Sequence, residues 1–178
     1  NGVHVRDILG VRLNYHRLGR YMSLDLESAI EKLCEKFKIS AGRVISSPVV
    51  KCDLSHGELH SDYPLKSLLG SLQYISTMGR PDCCFAVNKV ARHTTNPTTA
   101  VITAAKRIAR FMLQTKGQKI IYTPCREQRF RDAYGKILES AQAGRELPNL
   151  VGFSDSDYAG CSVTLKSTSG SVMFYRGV

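Results

Sequence analysis

"GRPDCCFAVNKVARHTTNPTTA", residues 79–100, is the stretch whose punctuation decides the fold. Pro81 suits a first helical position, where its missing N–H would have had no partner, and Asp82 beside it complements the positive end of the helix. Phe85, Val87 and Val90 carry that helix towards His93, Asn96 and Pro97 break it, and Thr98 or Thr99 begins another that runs to about Thr115. Two successive helices therefore occupy the middle of the chain. Gly117 stops the second, and "KIIYT", residues 119–123, follows as a strand.

The second helix has two unlike faces. Val101, Ala105, Ile108 and Met112 form an apolar stripe, while Thr103, Lys106, Arg107, Arg110 and Gln114 recur three and four residues apart on the opposite side. A row made of Lys106, Arg107 and Arg110 suits successive phosphates of a nucleic-acid backbone. It suits an ordinary solvated face equally well. From Arg80 to Lys119 there are eight Lys and Arg against the single acid Asp82, which favours the polyanion. The whole chain of 178 residues points the same way, with a net charge of +10.

Towards the N-terminus, "ILGVRL" (residues 8–13) reads as one strand, and Gly19 as the turn before a second, "YMSL". Ser23 or Asp25 is the expected cap of an amphipathic helix carrying Ala29, Ile30, Leu33 and Phe37. Residues 40–63 lose periodicity and read as a long connection. A further helix spans roughly Pro64 to Gly79. Residues 125–149 have a weak apolar pattern, compatible with a partial helix, and read as a linker. Beyond them, a strand from Leu150 pairs with "GSVMFY", residues 170–175.

Other chemistry is sparse. The six cysteines include no C-x-x-C pair, which argues against a zinc site. "HGELH", residues 56–60, lacks the order that would place a general base between two zinc-binding histidines. No run approaches the ~18 apolar residues of a membrane span. The opening Asn1 fits a piece of a longer protein. "LVGFSDSDYAG", residues 150–160, puts Asp155 and Asp157 two apart, on one side of a strand if the strand continues that far. Two carboxylates are too few for two-metal phosphodiester cleavage, and a turn held by Asp and Ser side chains explains the same residues.

"LVGFSDSDYAG" followed by "KSTSGSVMF" resembles the opening of the ribonuclease H domain in copia-type LTR retrotransposon polyproteins, whose pattern is approximately G-Y-S-D-A-D-W-A-G-D, a few residues, then R-K-S-T-S-G-Y-V. Upstream, "ILGVRL", "SLDLESAIEKLCEKFKI", "YPLKSLLGSLQYIS", "GRPDCCFAVNKVARHTTNP" and "AAKRIARFMLQTKG" resemble, in order, the part of the same polyprotein that follows the polymerase palm. Tyr158, Cys161 and Leu165 depart from that pattern, which has Trp, an acid and Arg there. The resemblance implies an α+β chain with an N-terminal β-hairpin, a helical middle and a C-terminal β-hairpin that starts a ribonuclease H fold. Residues 1–124 would be the thumb and connection-like end of a reverse transcriptase, 125–149 a linker, and 150–178 the truncated ribonuclease H start. It further implies that Asp155 is one ligand of an incomplete catalytic Mg²⁺ site. The implied partners are a primer–template duplex or RNA/DNA hybrid and the rest of the polyprotein, in cytoplasmic virus-like particles or the nucleus. No Asp-Asp pair occurs in the sequence, so the expected fragment binds nucleic acid without polymerising or cleaving alone. A non-catalytic binding module retained by a host is the alternative.

Overall fold

The computed structural model describes residues 3–49, 54, 57–59, 62–95, 97–141, 149–158 and 167–178. Strand β1 (Val3–Ile8) and strand β2 (Val11–His16) pair antiparallel, in register from Val3 opposite His16 to Ile8 opposite Val11. Leu9 and Gly10 form the turn between them, with φ of 53° and 81°. Residues 8–13 are therefore not one strand. Two-residue hairpin turns of this kind demand positive φ at both central positions, and Gly10 meets that demand without a steric penalty. A second turn, in which the Arg20 N–H donates to the Arg17 carbonyl at 3.2 Å, leads to strand β3 (Tyr21–Asp25).

Helix α1 (Glu27–Lys36) follows at once, with Leu26 at its N-cap and no side-chain cap. Ser23 and Asp25, the expected caps, instead belong to β3 and are 1% and 4% exposed. The correction has a plain cause: the strand extends to Asp25, and burial commits both side chains to the sheet. Asp25 Oδ2 accepts from Asn14 Nδ2 at 3.4 Å and from Lys119 Nζ at 3.2 Å, so the buried carboxylate is both bonded and paired.

Helix α2 (Leu65–Gly79) leads through a 3₁₀ turn, Pro81–Cys83, into helix α3 (Cys84–Ala91), and helix α4 (Thr99–Gln114) follows. Thr98 caps α4 by accepting from the Val101 N–H, as the sequence leads one to expect. Ile30 of α1, Leu68 and Leu72 of α2, Val87 of α3, and Val101, Ile108 and Met112 of α4 are all completely buried. The apolar stripe of α4 is thus the centre of the core. Gly79 ends α2 under Leu26, whose Cδ1 would lie 2.7 Å from an added Cβ, so any larger residue here requires the buried Leu26 side chain to shift.

Strand β4 (Ile120–Tyr122) completes a four-stranded sheet in the order β1-β2-β3-β4. Helix α5 (Pro124–Ala141) then covers most of the segment read as a linker. Strand β5 (Leu150–Ser156) pairs antiparallel with strand β6 (Ser169–Tyr175), from Leu150 opposite Tyr175 to Ser156 opposite Ser169. The chain divides into two compact units, residues 1–16 with 23–120, and residues 17–22 with 121–178. Mixed helix and antiparallel sheet is the architecture expected of an α+β chain.

Candidate nucleic-acid interface and the Asp155 carboxylate

The polar face of α4 is a rail for the connecting segment. Near the C-terminal end, Gln114 Nε2 donates to the carbonyls of Ala41 and Arg43 at 2.6 and 2.8 Å, and its Oε1 accepts from the Ile45 N–H at 2.9 Å. One helical turn pair earlier, Arg107 Nη2 donates to the Ser47 carbonyl at 3.1 Å. At the helix start, Thr98 Oγ1 donates to the Leu54 carbonyl at 2.9 Å and the Thr99 N–H to the Glu58 carbonyl at 2.9 Å. Chain and helix therefore run antiparallel, with side chains of α4 satisfying backbone groups that have no ladder partner.

This arrangement separates the three cations expected to act together. Arg107 is half-buried and engaged with Ser47, and its Nε is buried with no hydrogen-bond partner among the described residues. Lys106 lies over the Tyr63 ring, its Nζ 4.6 Å from the centroid, a cation–π contact. Arg110 is the exposed member of the row. Amphipathic spacing located the polar face correctly but carries no signal for what lies across it.

A cation that the spacing argument passed over holds the C-terminal end of the same helix. Arg80, in the Gly-Arg-Pro-Asp run, is 1% exposed. Its Nε and Nη2 form a fork onto the two oxygens of Asp82 at 2.9 and 2.7 Å, and Nη1 donates to the Thr115 carbonyl at 3.2 Å. Nη2 also reaches Thr115 Oγ1 at 2.6 Å, and the guanidinium lies 5.7 Å from the centre of the Phe111 ring. A planar cation here meets carbonyls that the helix end leaves unpaired and complements the negative end of its dipole. Arg two residues before Asp, across a proline, was the available signal.

In the second unit, Phe130 and Tyr134 of α5 pack on Phe153 of β5 and Phe174 of β6. Ring centroids are 5.2 Å apart for Phe130 and Phe174 and 5.4 Å for Tyr134 and Phe153. Alternation along β5 puts Asp155 on the same side as Val151 and Phe153. Its own strand partner is Gly170, and its carboxylate is exposed, with Oδ1 accepting from the Ser156 N–H at 2.8 Å. Asp157 turns to the backbone: its N–H donates to the Thr168 carbonyl at 3.0 Å and its Oδ1 accepts from the Thr168 N–H. These bonds continue the β5–β6 pairing one residue beyond Ser156 opposite Ser169. Among the described residues no group of three His, Cys, Asp or Glu stands close enough to hold a metal ion. His56 and His60 lie outside the described residues, as do Cys161 and Lys166.

No protein-family model and no solved structure matches the chain. Three curated proteins decide its kinship. It is 26% identical over 182 aligned positions to the retrovirus-related Pol polyprotein from transposon TNT 1-94 of Nicotiana tabacum, covering 97% of this chain and 12% of that polyprotein. It is 28% identical over 177 positions to an uncharacterized mitochondrial protein of Arabidopsis thaliana, covering 96% of this chain and 62% of that protein. With a transposon Ty1 Gag-Pol polyprotein of Saccharomyces cerevisiae it shares 26% identity over 128 positions, 65% of this chain and 8% of the polyprotein. The chain is a relative of retrotransposon Pol polyproteins.

Because it spans 12% of the tobacco Pol polyprotein and 8% of the yeast one, it corresponds to a small part of each. In this Pol-related chain no described helix is long and apolar enough to cross a membrane. Its core thiols are chemically quiet. Burial raises the Cys34 thiol from 9.0 to about 11, and burial, reinforced by the Asp82 carboxylate, raises Cys83 to about 12. Beneath the aromatic cluster, Glu127 pairs with Arg131 at 3.1 Å and Arg176 at 3.2 Å. The hydrogen bond from Arg131 is the main reason its carboxyl lies below its ordinary value.

Proposed function

We propose that this chain is the part of a retrotransposon Pol polyprotein that joins the end of the reverse transcriptase to the start of ribonuclease H, and that it holds a nucleic-acid duplex without catalysing alone. The observation that carries the reading is the alignment of 97% of the chain to one Pol polyprotein. The net charge of +10 supports a polyanionic partner, and exposed Arg110 is the first cation available to it. RNA-directed DNA synthesis and RNA-strand cleavage belong in this proposal to the complete polyprotein, acting in cytoplasmic virus-like particles or the nucleus.

Asp155 is proposed as the first carboxylate of a ribonuclease H centre. Mg²⁺ would supply nucleophile activation there, but Asp155 belongs to no group of three such ligands among the described residues, which alone do not fit such a site. No catalytic step is therefore assigned to this chain. A test is direct: fluorescence anisotropy of a labelled RNA/DNA hybrid should rise with added protein and fall as salt rises, whereas primed template with Mg²⁺ and deoxynucleotides should give no extension. Absence of binding, or clear extension or RNA cleavage, overturns the proposal.

The mitochondrial relative favours a second reading, a non-catalytic binding module retained by a host, because this chain covers 62% of a protein of modest length. An open reading frame bounded close to residues 1 and 178 would select it.

A further inference from the structure

An open groove of about 510 Å³ lies between α1 and α2, away from the α4 face. Its floor is apolar, formed by Ala29 and Leu33 of α1 and Ile75 of α2. Lys32 and Lys36 line one wall, both exposed, with Lys36 Nζ donating to Ser67 Oγ at 3.3 Å. No lining residue is acidic. Of the three acids of α1, Glu27 and Glu31 both pair with Lys116, and Glu35, exposed three residues from Lys32, does not line the groove.

The opposite wall is low. Gly70 sits in the interior of α2, where glycine costs roughly 1 kcal/mol relative to alanine. A Cβ built there would meet nothing within 4 Å, so internal packing does not require its absence. What the missing side chain provides is room for an approaching backbone.

We infer that this groove docks an acidic amphipathic helix of a partner protein. Ala29 to Lys36 rises about 10.5 Å, or roughly two helical turns, enough to seat one face of such a helix. Leucine-type side chains would cover the floor, glutamates would face Lys32 and Lys36, and Gly70 would let the two helices come close. A phosphodiester backbone would satisfy the lysines but leave the apolar floor uncovered. The inference is independent of duplex binding.

The probe is a synthetic helical peptide of about five turns, roughly 18 residues, with leucines at every third or fourth position flanked by glutamates. Its control carries lysines in place of the glutamates. Titrated into the ¹⁵N-labelled chain, the glutamate peptide should shift amides of α1 and α2, and the lysine peptide should not. Paired Lys32→Glu and Lys36→Glu substitutions should weaken binding at least about tenfold. Gly70→Phe should abolish it. Gly70→Ala, with equal or higher Tm, should weaken it less, which separates loss of the groove from loss of the fold. The inference is overturned if both peptides bind alike, if neither shifts these amides, if the variants bind as the parent does, or if only an RNA/DNA hybrid shifts the same amides.

Discussion

Arg80 Nη2 donates to Thr115 Oγ1 at 2.6 Å, linking the residue that closes α2 to the residue that closes α4. Replacing Arg80 by Ala removes this bond and the contacts to the Met112 and Thr115 carbonyls, and leaves Asp82 without its partner. Because the Asp82 side chain is 40% exposed, water can take over part of its solvation. The expected loss is therefore about 2–3 kcal/mol, below the ~3–5 typical of a fully buried pair. Arg80→Lys retains charge without the fork and should recover less than half of it, as urea unfolding would measure.

Leu9 offers a stabilising change. Its φ of 53° is a left-handed conformation that costs a leucine about 1 kcal/mol, and its side chain is 80% exposed, so little packing is lost on replacement. Leu9→Asn should raise stability by roughly 0.5–1 kcal/mol, since asparagine suits the first position of such a turn. A lower Tm would show that the exposed leucine is held by something beyond its own backbone.

The basic residues of α4 should separate by assay. Arg110→Ala should weaken hybrid binding and reduce the salt slope by about 1, with no change in Tm. Arg107→Ala should instead destabilise by roughly 1 kcal/mol, through lost anchorage of the Ser47 carbonyl. Equal salt slopes for Arg110→Ala and the parent protein would mean that this face is merely solvated.

Alkaline pH should destabilise the first unit through its core thiols. An unfolded thiol ionises near 9, whereas Cys34 and Cys83 resist until about 11 and about 12. Above pH 9 the unfolded chain thus binds fewer protons than the folded one, and stability falls as pH rises. The contribution is complete below pH 9 and is lost through the folded values. Urea midpoints between pH 8 and 11 should decline, less steeply in Cys34→Ala, and maleimide should modify exposed Cys125 before either core thiol.

Much of the first unit was legible because its helices carry their own punctuation. Pro81, Thr98 and Gly79 mark ends that the structure keeps, and the α4 stripe of Val101, Ala105, Ile108 and Met112 is buried as its spacing requires. The hairpin turning at Gly19 is present as β2 and β3, but apolar letters placed its first strand three residues early and hid the hairpin before it. Ile, Leu, Val and Leu over residues 8–13 look like one strand, and only the positive φ of Leu9 and Gly10 reveals a turn between two. Helix α5 was harder to see because its packing face uses aromatic rings, Phe130 and Tyr134, four residues apart, among charged neighbours. The candidate site was legible as a charged row but not as a surface. Periodicity fixes which α4 residues share a side, while the carbonyls of residues 41, 43 and 47 that cover it come from a segment with no periodicity to read.

The stacking of α5 on β5 and β6 bears on how pieces of such polyproteins are cloned. An expression boundary at Leu150 would strip Phe130 and Tyr134 from Phe153 and Phe174, leaving greasy rings on a two-stranded ribbon that is marginal by itself. Insoluble product from that boundary would say nothing about enzymology. Recombinant pieces meant to report on Asp155 should begin no later than Pro124, so that the helix travels with the strands it shields.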